Sequence, residues 1–167
     1  MKKRWSLLWP ARFVARWEGL LLKAYLDTIA SPPVWTIGAG WTGLIRDKVT
    51  GELRQIREGD RIGHRYAMRL LGKGLAAASR DIRRLVKVPL TVRQRMALMS
   101  LYYNIGPGAF ASSTLVRELN KGNYRKAGNQ FLQWKYAGGV EIEGLLNRRR
   151  SERRMFLSKT PRQRRSK

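Results

Sequence analysis

Two periodicities divide this chain. Over residues 10–18, Phe13, Val14 and Trp17 fall on one face of a short predicted helix, with Pro10 at a permitted start and Gly19 as its stop. From residue 20 the pattern tightens, and residues 22–26, 35–39, 44–45 and 53–56 predict short strands. Ser31-Pro32-Pro33 and Thr50-Gly51 supply turns between them. Asp60 is the expected N-cap of a long helix reaching about residue 86, with Ile62, Tyr66, Leu70 and Leu71 on one side. Thr91 and Gln94 form a capping box, and Val92, Met96, Met99 and Tyr103 then recur at helical spacing, which predicts a buried central helix. Residues 104–108 break it. Helices are expected at about 113–120, 123–134 and 142–157, separated by Lys121-Gly122 and Gly138-Gly139.

The layout is a small mixed lobe followed by a larger helical one, an arrangement that favours a ligand site in a cleft between lobes. The expected divisions are a small α/β lobe at about 10–59, a connecting helix at 60–86 and a helical lobe at 87–157. Residues 158–167 hold five cations, no acid and a proline, and read as a loose basic tail.

Composition narrows the chemistry. The 167 residues are 43% hydrophobic and 10% aromatic, enough for a real core and against disorder. Cysteine is absent and His64 is the single histidine, which excludes disulfides, thiolate metal sites, cysteine nucleophiles and any site needing two imidazoles. Charge is the outlier: 35 Lys and Arg against 11 Asp and Glu, a formal +24. An anionic partner follows, whether nucleic acid, a membrane face or a cell-wall polymer. No apolar run approaches the roughly 18 residues of a membrane span. The basic opening Met1-Lys2-Lys3-Arg4 precedes an apolar stretch cut short by Pro10 and Arg12, so neither a cleaved signal nor an anchor is expected.

With so few acids, Glu18 and Asp27 stand out. On one continuous helix they would lie about 13.5 Å apart along the axis and on opposite faces. A chain that turns at Gly19 instead allows the spacing of about 6.5–9.5 Å of an inverting glycosidase, or the closer pair of a retaining one. By spacing alone, the better reading is a helix-end glutamate and a turn aspartate, both solvated, since isolated Glu/Asp pairs are common in any protein.

Thr36-Ile37-Gly38-Ala39-Gly40 adds to this. Glu18, Tyr25-x-Asp27 and Thr36-Ile37-Gly38-x-Gly40 in order resemble the catalytic segment of phage-type lysozymes (endolysins), glycoside hydrolase family 24. The resemblance resumes in Val88-Pro89-Leu90-Thr91, Gln94, Tyr103-Asn104-Ile105-Gly106-x-Gly108, Ser113-Thr114-Leu115, Trp134 and Arg148-Arg149, and covers roughly residues 10–157. It implies a two-lobed α+β lysozyme fold, a small β-sheet lobe plus a larger helical lobe with the cleft between them. It further implies hydrolysis of the β-1,4 bond from N-acetylmuramic acid to N-acetylglucosamine in peptidoglycan, with inversion, and no metal or other cofactor. By the same resemblance Glu18 is the general acid, Asp27 activates or orients the attacking water, and Thr36 holds that water.

Two departures from the family pattern stand in the catalytic segment. Eight residues separate Asp27 from Thr36, a longer connection than usual, and Trp41 replaces the histidine that commonly follows the glycine pair. Relatives that act as lytic transglycosylases lack the water-handling residues, so the presence of Asp27 and Thr36 points to hydrolysis.

The resemblance places Tyr103, Asn104 and Thr114 along a saccharide groove, where amide and hydroxyl groups suit N-acetyl and sugar hydroxyls; helix-end packing is the plainer alternative. Trp134 is a sugar-stacking candidate that also sits at core spacing from Phe131. Arg148 to Arg150 and Arg153-Arg154 read as a solvated helix face, except that the family motif puts Arg148 or Arg149 near the cleft. His64 reads as an incidental surface residue. A monomer acting on peptidoglycan is expected, with anionic envelope polymers or lipopolysaccharide as further partners and no obligate nucleic acid. The expected location is the host cytoplasm until release to the wall through a holin-type pore. The rival readings are a basic nucleic-acid-binding protein and a membrane-active one.

Overall fold

A computed structural model describes residues 8–28 and 32–158. The basic opening at 1–7, the centre of the long connection at 29–31 and the tail from 159 onward lie outside the described residues. The chain forms two compact units, one ending at Gly74 and the other beginning at Leu75.

The first unit opens with α1 (Leu8–Glu18), whose inward positions Ala11 and Val14 are buried. Strands β1 (Leu21–Asp27) and β2 (Val34–Gly38) follow as an antiparallel ribbon, paired Tyr25 to Thr36 and Asp27 to Val34, with an irregularity between Leu21 and Tyr25. A second ribbon pairs β3 (Ile45–Arg46) with β4 (Leu53–Arg54). One face of the first ribbon carries Ala24 and Ile37 into a core shared with Ile45, Ile56, Ile62, Ala67 and Leu70. Side chains alternate across a strand, so Tyr25, Asp27, Val34 and Thr36 share the opposite face.

The long helix α2 spans His64–Leu85. Asp60 is not its N-cap. Both Asp60 oxygens accept from the Arg54 guanidinium, at 2.7 and 2.8 Å, and one also accepts from the Arg57 amide. Residues 60–62 meanwhile lie along β1, with the Ala24 amide donating to the Asp60 carbonyl and the Ile62 amide to the Leu22 carbonyl. The extended pairing of residues 60–62 with β1 delays the helix to His64, and the Asp60 carboxylate binds Arg54 and the Arg57 amide instead of the first amides of α2.

In the second unit, α3 (Val92–Ile105) begins at the predicted capping box, with both Thr91 and Gln94 bonds formed. Met96 to Tyr102 are buried, and the Tyr102 hydroxyl donates to Asp81. Burial and that carboxylate push the Tyr102 phenol up to about 12. The break at Gly106 leads into α4 (Pro107–Ser112), a helix the sequence pattern does not predict; Pro107 at its first position fits a helix start. Then come α5 (Thr114–Asn120), α6 (Tyr124–Gln130), a single 3₁₀ turn at Phe131–Gln133 and α7 (Glu143–Leu157). Gly138-Gly139, expected as a spacer between helices, is the tip of a hairpin pairing β5 (Tyr136–Ala137) with β6 (Val140–Glu141).

Candidate active site

The end of α1 and the first ribbon bring the predicted catalytic residues together. Glu18 is the last residue of α1, half-buried, and its Oε1 is sealed from solvent. The chain turns at Gly19 and returns as β1, so the nine residues from Glu18 to Asp27 do not form one helix. Asp27 ends β1, half-buried, and Thr36 sits in β2, 1% exposed. In this register Asp27 and Thr36 are diagonal neighbours on one face, which places them about 7–8 Å apart.

Tyr25 ties the group together. It faces the same side as Asp27, pairs directly with Thr36, and its phenol is pushed above the ordinary value by burial and then by the negative charges of Asp27 and Glu18. The charges of both carboxylates act on this one phenol. The sequence reading uses Tyr25 only as part of a motif; its Tyr25-x-Asp27 spacing on a strand is the signal that sets it beside Asp27.

The longer connection leaves the register intact, since Asp27 still pairs with Val34 and Tyr25 with Thr36. The Thr36 hydroxyl donates to the Val34 carbonyl at 3.2 Å, which commits its one proton and leaves its lone pairs to accept. Beyond it, Ile37 and Trp41 exchange two backbone bonds of 2.9 Å around Gly38-Ala39-Gly40. Gly38 and Gly40 have φ of +71° and +80°, a conformation that explains the paired glycines. Trp41, where the family has histidine, packs on the core of this unit and donates from its indole to the Leu44 carbonyl. A Cβ on Gly43 would come within 2.8 Å of that indole, so Gly43 makes room for it.

The predicted saccharide-binding residues all belong to the second unit. Tyr103 and Asn104 are half-buried on the last turn of α3, and Thr114 is exposed at the start of α5 with its Oγ1 accepting from Arg117 at 2.7 Å. Trp134 is half-buried just past the 3₁₀ turn, whereas Phe131 is fully buried. Arg148 and Arg149, one of which the family motif puts near the cleft while the rest of the run reads as solvated, are both interior, 3% and 0% exposed. Arg148 donates to Glu152 at 3.1 Å and to the Ser100 carbonyl, Arg149 pairs with Glu152, and the Ser100 hydroxyl donates to Glu152 at 2.6 Å. Arg150 is exposed, as is His64. Among the described residues, no three His, Asp or Glu side chains group as a metal ion would need, and no helix is long and apolar enough to cross a membrane.

Comparison with known proteins identifies the family. The phage lysozyme family model matches residues 15–152. The endolysin of Salmonella phage P22 is 45% identical over 143 residues, 86% of this chain and 91% of the relative. The SAR-endolysin of Enterobacteria phage P21 is 37% identical over 140 residues, 84% of this chain and 77% of the relative. In structure, a crystal form of a P22 lysozyme mutant superposes with a TM-score of 0.75 at 42% identity, covering 90% of this chain and 97% of the other. The ordered carboxylates, the ribbon that carries them and relatives matched along most of their length lead to one conclusion: this chain belongs to the phage lysozyme family of glycoside hydrolases.

Proposed function

We propose that the protein is an endolysin that hydrolyses the β-1,4 bond between N-acetylmuramic acid and N-acetylglucosamine in peptidoglycan, with inversion at the anomeric carbon. The observation that carries the residue assignment is the β1–β2 register, which sets Asp27, Tyr25 and Thr36 on one face, with Glu18 at the end of α1 just before β1. Glu18 gives its proton to the departing glycosidic oxygen as the bond breaks. Asp27 takes a proton from the water that attacks the opposite face of the sugar. Thr36 accepts a hydrogen bond from that water, a role its committed proton leaves it free to play. Tyr103, Asn104, Thr114 and Trp134 are assigned to sugar binding in the same reading, whereas Arg148, buried and bonded to Glu152 and the Ser100 carbonyl, holds α7 to α3 instead. Production in the host cytoplasm and release through a holin-type pore complete it. The reported relatives are endolysins, and among the described residues no feature of the fold favours a nucleic-acid-binding or membrane-active protein instead.

Glu18→Gln should fold normally and lose cleavage of purified peptidoglycan by at least about 10²-fold, because an amide has no proton to donate. Mass analysis of wild-type digests should show reducing muropeptides. Activity within about tenfold of wild type would remove Glu18 from the mechanism, and 1,6-anhydro products would replace hydrolysis with transglycosylation. Thr36→Val should impair the reaction more than Thr28→Val; the reverse order would move the water-holding role to the other threonine.

A further inference from the structure

The first unit contains a concavity of about 800 Å³, lined by the β3–β4 ribbon, the 57–63 segment and the first turns of α2. Glu18, Asp27 and Thr36 do not line it. Its walls carry six cationic side chains and two carboxylates, Asp47 and Asp60. Both carboxylates are spent on Arg54, which pairs with Asp47 at 2.5 Å and with Asp60 at 2.7 Å. That triad fixes the loops, since Asp47 also accepts from the amides of Val49 and Thr50, and Asp60 from the amide of Arg57. Lys48, Arg61 and Arg69 line the same hollow, are exposed, and none pairs with a described acid.

Crowding like charges into a concavity raises its potential well beyond that of a convex helix face. The hollow also holds a directed neutral donor. The Arg46 amide donates to the half-buried Tyr66 hydroxyl at 2.9 Å, orienting that oxygen and leaving its own proton for a ligand. Cations around a fixed hydroxyl donor suit a tetrahedral oxyanion, and the volume admits more than one sugar-sized group.

We propose that this hollow is a binding site for phosphate groups borne on an envelope glycan, with Lys48, Arg61 and Arg69 as the cations and Tyr66 as the oriented donor. The choice of an envelope glycan as carrier rests on the hydrolase reading above; the phosphate chemistry does not. Such a site would hold the enzyme on the envelope without taking part in bond cleavage.

The test removes three charges in two places. Lys48→Gln/Arg61→Gln/Arg69→Gln empties the hollow of these cations, while Arg80→Gln/Arg83→Gln/Arg125→Gln removes the same net charge from exposed positions elsewhere. Binding of the full-length proteins to poly(glycerol phosphate), to lipopolysaccharide vesicles and to duplex DNA is measured by calorimetry at fixed moderate salt. The hollow variant should bind at least one of the two glycan probes about tenfold more weakly and the distal variant less than about threefold, since each exposed charge contributes modestly and the hollow adds them at one place. The glycan probe with the larger loss identifies the carrier, phosphodiester polymer or lipid-linked phosphate. Tyr66→Phe, which keeps every charge, should weaken the same probe about threefold or more through loss of a bond to a charged group. Cleavage of phosphate-free peptidoglycan should stay within about twofold for both triple variants, as none of these residues touches the reacting bond. Equal losses in the two triple variants would replace the site with a diffuse field and overturn the proposal. So would an equal loss for duplex DNA, or an unaltered affinity for both glycan probes. A wild-type protein that binds the phosphate probes yet cleaves no peptidoglycan would refute the hydrolase reading and leave the phosphate site standing.

Discussion

Each unit is pinned by an arginine–carboxylate cluster, and distance ranks the two in the opposite order from burial. Arg54 meets Asp47 at 2.5 Å and Asp60 at 2.7 Å, but these side chains keep 26%, 14% and 11% of their exposure. Arg148 and Arg149 meet Glu152 at 3.1 Å with almost no exposure. Near water, breaking a pair returns both partners to solvation, so even a short contact contributes little net stability. In the interior the lost partner leaves a charge that nothing solvates, and removing one member of a longer pair is severe. The first cluster shapes loops; the second holds α7 to Ser100 in the middle of α3. Burial pushes the Glu152 carboxyl up, against the pull of Arg149, the Ser100 hydroxyl and Arg148. The Arg54 guanidinium instead holds Asp47 and Asp60 below the ordinary carboxylate value.

The sharpest way to break this comparison is Glu152→Ala. It leaves two buried guanidiniums without their shared carboxylate and should cost about 3–5 kcal/mol in urea unfolding. A loss below about 1 kcal/mol would show that water reaches the cluster and that the two regions behave alike. Arg54→Met should lower the unfolding midpoint by less than about half as much, with its effect concentrated in the β3–β4 ribbon and readable as faster amide exchange there.

The smallest effect is the pH dependence of the Arg54 cluster. Asp47 and Asp60 have folded values below their unfolded ones, so their contribution is complete above the unfolded value near 3.9 and drains away as pH falls through the depressed folded values. Melting temperature followed from about pH 5 downward should fall more steeply for wild type than for Arg54→Met. Parallel curves would mean that other carboxylates govern the acid limb.

Much of the framework was legible from local chemistry. The Thr91/Gln94 box, the stop at Gly19 and the period-two stretches that became β1 and β2 each depend on a few adjacent residues, and each formed where expected. Glu18, Asp27 and Thr36 were legible as an ordered motif, and their separation by a turn followed from Gly19. What neighbours in sequence could not decide was competition among distant partners. Asp60 had the chemistry of a helix cap but lies in a segment paired with β1, where it meets Arg54, and of the α7 arginines, read as solvated except for one near the cleft, Glu152 and Ser100 drew two inside. The hollow beside Tyr66 is assembled from segments between Ile45 and Arg69, so no local pattern announces it. Local periodicity and turn chemistry set the elements because their energies are settled within a few residues. Which charge is buried, and which carboxylate it meets, is set by desolvation and pairing between segments that only folding brings together.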